Sequence, residues 1–362
     1  MLSCTKKMTQ QKDKPILVYR FSALGDIAMT IPVLRSFFKS YPNQKIILVS
    51  RNYAKPLFDE FDNLEFVGVE FKNQYKGIQG FVKLFKFLRK KNIKSVADLH
   101  NVLRTKVLNF LFRITLIKVQ FVNKGRSDRK KLIRRKNKIF KPLTPIQYRY
   151  CDVFRRLGFP VDLVNHEYPV KPFLDNDTVE QKLLSSCQNK KIIGIAPFAS
   201  FQGKSYPLDL MQNVIAYLQK SHSIYLFGGG ENELNQIKIW DRAYENVFDV
   251  SKNFNLRQQL NIINYIDLMI SMDSANGHLA ANCGVPVLTI WGMTHPFCGF
   301  TPFDQAPENS IVIDRNLYPA IPTSIFGNKV PKGYSNALRT IEPKEIIEKA
   351  LKILENAKPR HN

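Results

Sequence analysis

The chain opens twice in the same way. A short apolar run, a polar loop and an amphipathic stretch follow one another in ILVYRFSALGDIAMTIPVL, residues 16–34, and again in IIGIAPFASFQGKSYPLDL, residues 192–210. After each opening the pattern continues. Strand-like runs at 16–20, 45–50, 64–69, 95–99 and 116–122 are separated by stretches at 27–38, 77–91 and 102–113 with apolar residues every third or fourth position. That spacing predicts helices with one buried face, and strand alternating with helix predicts parallel βαβ units. Beyond a Pro-, Asp- and Asn-rich passage near residues 168–177 the second half repeats the alternation. Strands are expected at 192–196, 223–227, 246–250, 267–271, 285–290 and 310–313, with helices at 208–220, 231–243, 256–265 and 277–282. The fold class is therefore α/β, two doubly wound domains in tandem, at 1–172 and 173–342, with a closing helix and tail at 343–362. Ligands of such sheets bind at the carboxyl ends of the strands, so facing domains would share one site in an interdomain cleft.

Charge is divided as unevenly as the pattern is even. Residues 1–172 hold 36 Lys and Arg against 12 Asp and Glu; residues 173–362 hold 18 of each, so the whole excess of +24 lies in the first half. It is densest from Lys124 to Lys141, where ten basic residues accompany the single acid Asp128. Such a run is a solvated loop or, backed by the charge of the whole half, an attractor of phosphate-bearing lipid or nucleic acid. No run approaches the roughly 18 apolar residues of a membrane-spanning helix, and the opening segment lacks the apolar core of a secretory signal, so a cytoplasmic chain is expected. Cys4, Cys151, Cys187, Cys283 and Cys298 are scattered, and read as free thiols without a zinc or dithiol spacing.

Four loops could carry chemistry. In Phe21-Ser22-Ala23-Leu24-Gly25-Asp26, Gly25 permits a tight turn, and Asp26 at the helix start is either a cap or a carboxylate able to take a proton from an acceptor hydroxyl. In the matching loop of the second half, Ser200, Gly203 and Lys204 precede a Pro-initiated helix and can present N–H groups and an ammonium to phosphate; Lys204 is otherwise an ordinary surface lysine. Asp273-Ser274-Ala275-Asn276-Gly277-His278 ends an apolar strand and opens a helix, which gathers backbone donors and a positive dipole end where a diphosphate would sit. His278 is either a packing residue or part of that site. Finally, Gly228-Gly229-Gly230-Glu231-Asn232-Glu233 is a turn, or places a carboxylate where a ribose diol could bind.

Together these segments resemble the lipopolysaccharide heptosyltransferases of glycosyltransferase family 9. The likeness runs through RFSALGDIAMTIPVLRSF, ADLHNVLRT, APFASFQGKSYP, LFGGGENE and, above all, SMDSANGHLAANCGVPVLTIWGMTHP. It implies the GT-B architecture of two facing Rossmann-like domains and an inverting, metal-independent transfer from ADP-heptose to the lipopolysaccharide inner core, with no cofactor. On that pattern Asp26 is the catalytic base, and Lys204 neutralises the leaving diphosphate. Ser200 contacts phosphate, Glu233, or else Glu231, holds the ribose, and Asp273, Ser274, Ala275, Asn276, Gly277 and His278 cradle the diphosphate and the heptose. Ser22, Gly25 and Arg104 fall on the side that takes the phosphorylated lipid A/Kdo-type acceptor, as does the basic run. Two positions depart from the family pattern: Ala275 replaces a glycine, and Tyr206 stands where tryptophan is usual. The implied enzyme works at the inner face of the inner membrane, in peripheral contact with its anionic surface, without nucleic acid. The rivals are a nucleotide-sugar epimerase on the same scaffold, which needs no acceptor, and a basic nucleic-acid-binding protein, against which stands the lack of interleaved aromatics or a zinc-finger motif.

Overall fold

A computed structural model describes residues 14–187 and 190–357. Cys4 and the tail after residue 357 lie outside the described residues. The chain divides into two compact units, residues 14–124 with Ile146–Glu167, and Gly125–Pro145 with residues 168–357.

In the first unit the order is β1 (Ile16–Tyr19), α1 (Leu24–Ala28), α2 (Ile31–Ser40), β2 (Ile46–Ser50), β3 (Leu64–Gly68), α3 (Gly77–Arg89), β4 (Ser95–Asp98), α4 (Leu103–Ile114) and β5 (Lys118–Phe121). The chain then leaves for α5 (Arg126–Ile133) and returns as α6 (Ile146–Leu157). All strands are parallel, in the order β3-β2-β1-β4-β5, with Ile16 beside Ile46 on one side and Ser95 on the other. Strands β1, β2 and β4 are buried along their whole length, because helices cover both faces; that is why β1 and most of β2 read as apolar runs, while β4 buries Ser95 and Asp98 at its ends.

The second unit comprises α7 (Val179–Ser185), β6 (Ile192–Ala196), α8 (Leu208–Leu218), β7 (Ser223–Leu226), α9 (Glu231–Ala243), β8 (Val247–Asp249), α10 (Leu256–Ile263), β9 (Leu268–Met272), α11 (Ala275–Asn282), β10 (Val287–Trp291), β11 (Ser310–Val312) and α12 (Pro343–Asn356). Its parallel sheet runs β11-β10-β9-β6-β7-β8. In each unit strand order therefore reverses beside the first strand, between β1 and β4 and between β6 and β9. The loops leaving those strands flank the crevice where Rossmann-like sheets bind ligands.

Three expectations change. The helix expected at 27–38 is two, α1 and α2, because Pro32 at the start of α2 has no N–H to continue a helix through Met29 and Thr30. The boundary expected at 172 is not a single cut, since residues 125–145 pack with the second unit. Leu132 is fully buried with Cys298 and Ile325, Phe140 lies 4.6 Å from Phe297, and Leu143 N–H donates to the Phe297 carbonyl at 2.9 Å. Helix α12 is no separate closing element either: it packs on α8, burying Ile346, Ala350 and Leu354 in the second unit's core.

Candidate functional site

The first unit gathers its polar groups where β1 and β4 end. Asp26 sits at the third position of α1, one face of its carboxylate used locally: Oδ2 accepts the Ala23 N–H at 3.2 Å. The same oxygen takes Arg20 at 2.6 Å, and Arg20 is held in turn on the Leu99 carbonyl at 2.9 Å. Both contacts fall on Oδ2. Gly25 lies inside α1 rather than in the turn, which is made upstream at the exposed Ser22 and Ala23. Across the switch, buried Asp98 shapes the next loop by accepting the N–H groups of His100 and Asn101 on Oδ1 and the Asn109 amide on Oδ2. His100 Nδ1 accepts the Phe21 N–H at 3.4 Å, and burial, with Arg20 adding to it, drives the imidazole pKa down to about 3, so the ring stays neutral. Arg104 is exposed and lies 5.1 Å over the Phe71 ring, which meets Phe21 edge-on at 4.8 Å; Arg51 covers the same ring at 5.4 Å.

In the second unit, the loop after β6 and the loop after β9 meet. Lys204 Nζ is 3.0 Å from Asp273 Oδ2, both largely buried, with side-chain exposures of 15% and 8%. The lysine stem is fixed by close backbone approach. Gly203 accepts the Met293 N–H through its carbonyl, and a Cβ on Gly203 would fall 2.4 Å from the Gly327 carbonyl oxygen. Gly327, with φ +77°, lies directly on the Lys204 stem: a Cβ there would be 2.1 Å from Cγ. Beside this pair α11 begins, with Ser274 as its cap residue and Ser274 Oγ 3.2 Å from Ser271 Oγ. The first-turn N–H groups, from Ala275, Asn276 and Gly277 onward, have no partner within a helix, so its start is a natural anion seat. His278 is buried within α11.

The remaining candidates show other contacts. Glu233 Oε2 accepts the N–H groups of Gly229 at 2.8 Å and Gly230 at 3.3 Å, so half its carboxylate closes the start of α9. Glu231 and Ser200 are exposed. Tyr206 is buried, and its hydroxyl donates to the Ile341 carbonyl at 2.7 Å, fastening the loop after β6 to the segment leading into α12.

Several neighbours carry no sequence signal. Arg20 is the partner of Asp26, and the segment 125–145 brings cations to the tip of β10. Lys138 donates to the carbonyls of Leu132 at 2.7 Å and Pro322 at 2.8 Å; burial, then Arg315, lowers its pKa to about 8. Arg315 stacks 3.4 Å over Phe140, and Arg129 lies 5.0 Å over Phe300. His295, buried among them, has its pKa lowered to about 4 by burial, then by Arg315 and Lys138. The basic run is thus folded into the second unit, not spread on the first, because its apolar residues find a pocket that charge counting does not reveal. Among the described residues no group of three or more His, Cys, Asp or Glu side chains forms a metal-ligand set.

Two parallel α/β units, each with a polar centre at its strand switch, define the GT-B class of glycosyltransferase. The family described as glycosyltransferase family 9 (heptosyltransferase) matches residues 81–319, and the chain belongs to that family. It is similar to lipooligosaccharide heptosyltransferase 2 of Campylobacter jejuni, 23% identical over 94% of this chain and 99% of the relative. Its fold is that of a family 9 glycosyltransferase from Veillonella parvula, with a TM-score of 0.73, 20% identity and coverage of 95% of this chain and 98% of the other. It also resembles E. coli ADP-heptose lipopolysaccharide heptosyltransferase II, with a TM-score of 0.65, 18% identity and coverage of 94% and 98%.

Proposed function

We propose that this glycosyltransferase moves a heptose, with inversion and without a metal, from ADP-heptose to the phosphorylated inner core of lipopolysaccharide. The second unit takes the donor. The observation that carries this is the Lys204–Asp273 pair at the switch between β6 and β9, beside the open N–H groups of α11. An ammonium fixed on a buried carboxylate and a helix start together offer the diphosphate a preorganised positive seat. Asp273, tied to the lysine, keeps its other oxygen for a sugar hydroxyl; Ser274, Ala275, Asn276, Gly277 and Ser200 border the phosphates. Glu233, through Oε1, takes the ribose. The name of the E. coli relative, which specifies ADP-heptose, supports the choice of nucleotide.

The first unit supplies the base and the acceptor contacts. Asp26 takes the proton of the acceptor hydroxyl on Oδ1 as that oxygen bonds to the anomeric carbon from the face opposite the diphosphate. The bond from that carbon to the diphosphate oxygen breaks, and the charge released onto the diphosphate is met by Lys204 and the N–H groups of α11, each well-placed donor worth roughly 3–4 kcal/mol. Arg20 holds the carboxylate in place through Oδ2. Arg104, braced on Phe71, meets an acceptor phosphate, Ser22 and Gly25 supply further acceptor contacts, and the enzyme works at the inner face of the inner membrane.

A thermal-shift screen tests the donor. ADP-heptose should raise the melting temperature at concentrations where UDP-, GDP- and dTDP-sugars do not, since only a ligand of the folded state stabilises it. A larger shift with any of those competitors refutes the assignment.

A further inference from the structure

The first unit carries a surface that neither sheet packing nor the polar centre accounts for. Between Glu70 and Asp128 the sequence has fourteen Lys and Arg and one acid, Asp98, which is fully buried. Helices α3 and α4 pack side by side over this stretch, their inner sides closed by Phe85 against Phe112 at 4.9 Å. Their outer sides are mixed. On α4, Leu103, Phe110 and Ile114 are 79%, 64% and 62% exposed, with exposed Lys106 and Arg113 between them along one helical stripe. Leu116, just past the helix, is 95% exposed. On α3 the exposed Phe87 stands among exposed Lys83, Lys86 and Lys90.

We propose that the α3–α4 face docks on an anionic phospholipid bilayer. Single exposed apolar side chains are ordinary; a stripe of them alternating with cations, on two helices that contain no Asp or Glu of their own, is the pattern of a helix lying in a membrane interface. The charge excludes a second copy as the better occupant, because two such faces would repel. A nucleic acid would use the cations but gain nothing from the aliphatic Leu103, Ile114 and Leu116. Against an anionic leaflet both halves of the pattern contribute: the apolar tips enter the acyl boundary while the long Lys and Arg stems keep their charges among the headgroups. The inference deepens the reading of a lipid-linked acceptor, for it names the surface that would hold the enzyme where that acceptor lies.

The full chain is tested by flotation with phosphatidylglycerol–phosphatidylethanolamine vesicles, free of acceptor and nucleotide, and with phosphatidylcholine vesicles. The wild type should float with the anionic vesicles only, and lose them as salt is raised. The double variant Phe110→Glu, Leu116→Glu should partition at least about tenfold less, and Lys83→Glu with Lys86→Glu at least roughly fivefold less for each lysine. Both variants keep the wild-type melting shift with ADP-heptose, which separates a failed membrane face from a failed donor site. Equal flotation with phosphatidylcholine, undiminished flotation of the Phe110/Leu116 variant, tighter binding to duplex DNA than to the anionic vesicles, or a lipid-free dimer dissolved by the same substitutions would each overturn the proposal.

Discussion

Replacing Lys204 by alanine removes the cation from a nearly dry pair. At 3.0 Å the attraction to Asp273 is about 5 kcal/mol at an effective dielectric of about 20, and the side chains are 15% and 8% exposed, so water cannot replace the lost partner well. Breaking such a pair from one side costs about 3–5 kcal/mol, whereas removing both charges is close to neutral. With a urea dependence of at most about 3 kcal/mol per molar, Lys204→Ala should lower the unfolding midpoint of the second unit by about 1 M or more. The chain offers a selective probe, because its two tryptophans, Trp240 and Trp291, are both buried in that unit. Lys204→Met combined with Asp273→Asn should restore the fluorescence midpoint to within a few tenths molar. Transfer should not return with it, and the loss for either Lys204 variant should be about 100- to 1000-fold, the value of one charge-stabilising donor. An unchanged midpoint for Lys204→Ala, or transfer regained in the double variant, would refute the account of this pair.

Arg20→Met frees the Oδ2 oxygen of Asp26, so turnover should fall at least about tenfold while the KM for the donor stays put; a change in KM alone would contradict the orienting role. Gly327→Ala should weaken ADP binding about tenfold in titration calorimetry through its clash with Lys204, while Gly333→Ala, at φ +83° with nothing within 4 Å, carries similar backbone strain and should leave affinity unchanged. Buried His295 has a folded pKa of about 4, below its unfolded value, so below about pH 6.5 the unfolded chain binds the proton that the folded one refuses. Stability is therefore full above that pH and is lost as pH falls toward 4, by at most about 1.4 kcal/mol per unit. The tryptophan-detected midpoint should drop accordingly, and His295→Phe should flatten the profile; an equally steep profile in that variant would rule His295 out as the source.

The strands were legible because parallel sheets covered on both faces leave little but apolar residues in them, as in Ile46–Ser50 and Leu268–Met272. Strand order is what the residues did not announce. Lys204 and Asp273 were read as separate candidates, yet a doubly wound sheet sets β6 beside β9, and that adjacency alone makes neighbours of loops 69 positions apart in the sequence. By the same rule the Asp26 loop had to lie beside Asp98 and His100. Helix α5 was hidden for a different reason: Arg126–Ile133 has one buried residue, Leu132, among charges, so it shows no apolar period to read. Its attachment to the second unit rests on Phe140, Leu143 and the cation stacked on Phe140, contacts made only after folding. Arg20 looked like the polar end of a strand, and only coordinates show it tied to the carboxylate that the sequence singled out.

The base is the claim on which the chemistry turns, and Asp26→Asn tests it while preserving shape. Measured side by side, ADP affinity by calorimetry should stay within about twofold of wild type, whereas heptose transfer from ADP-heptose to a lipid A/Kdo acceptor should fall by about a thousandfold, within the range general-base catalysis supplies. Transfer by Asp26→Asn within tenfold of wild type would show that the proton leaves by another route.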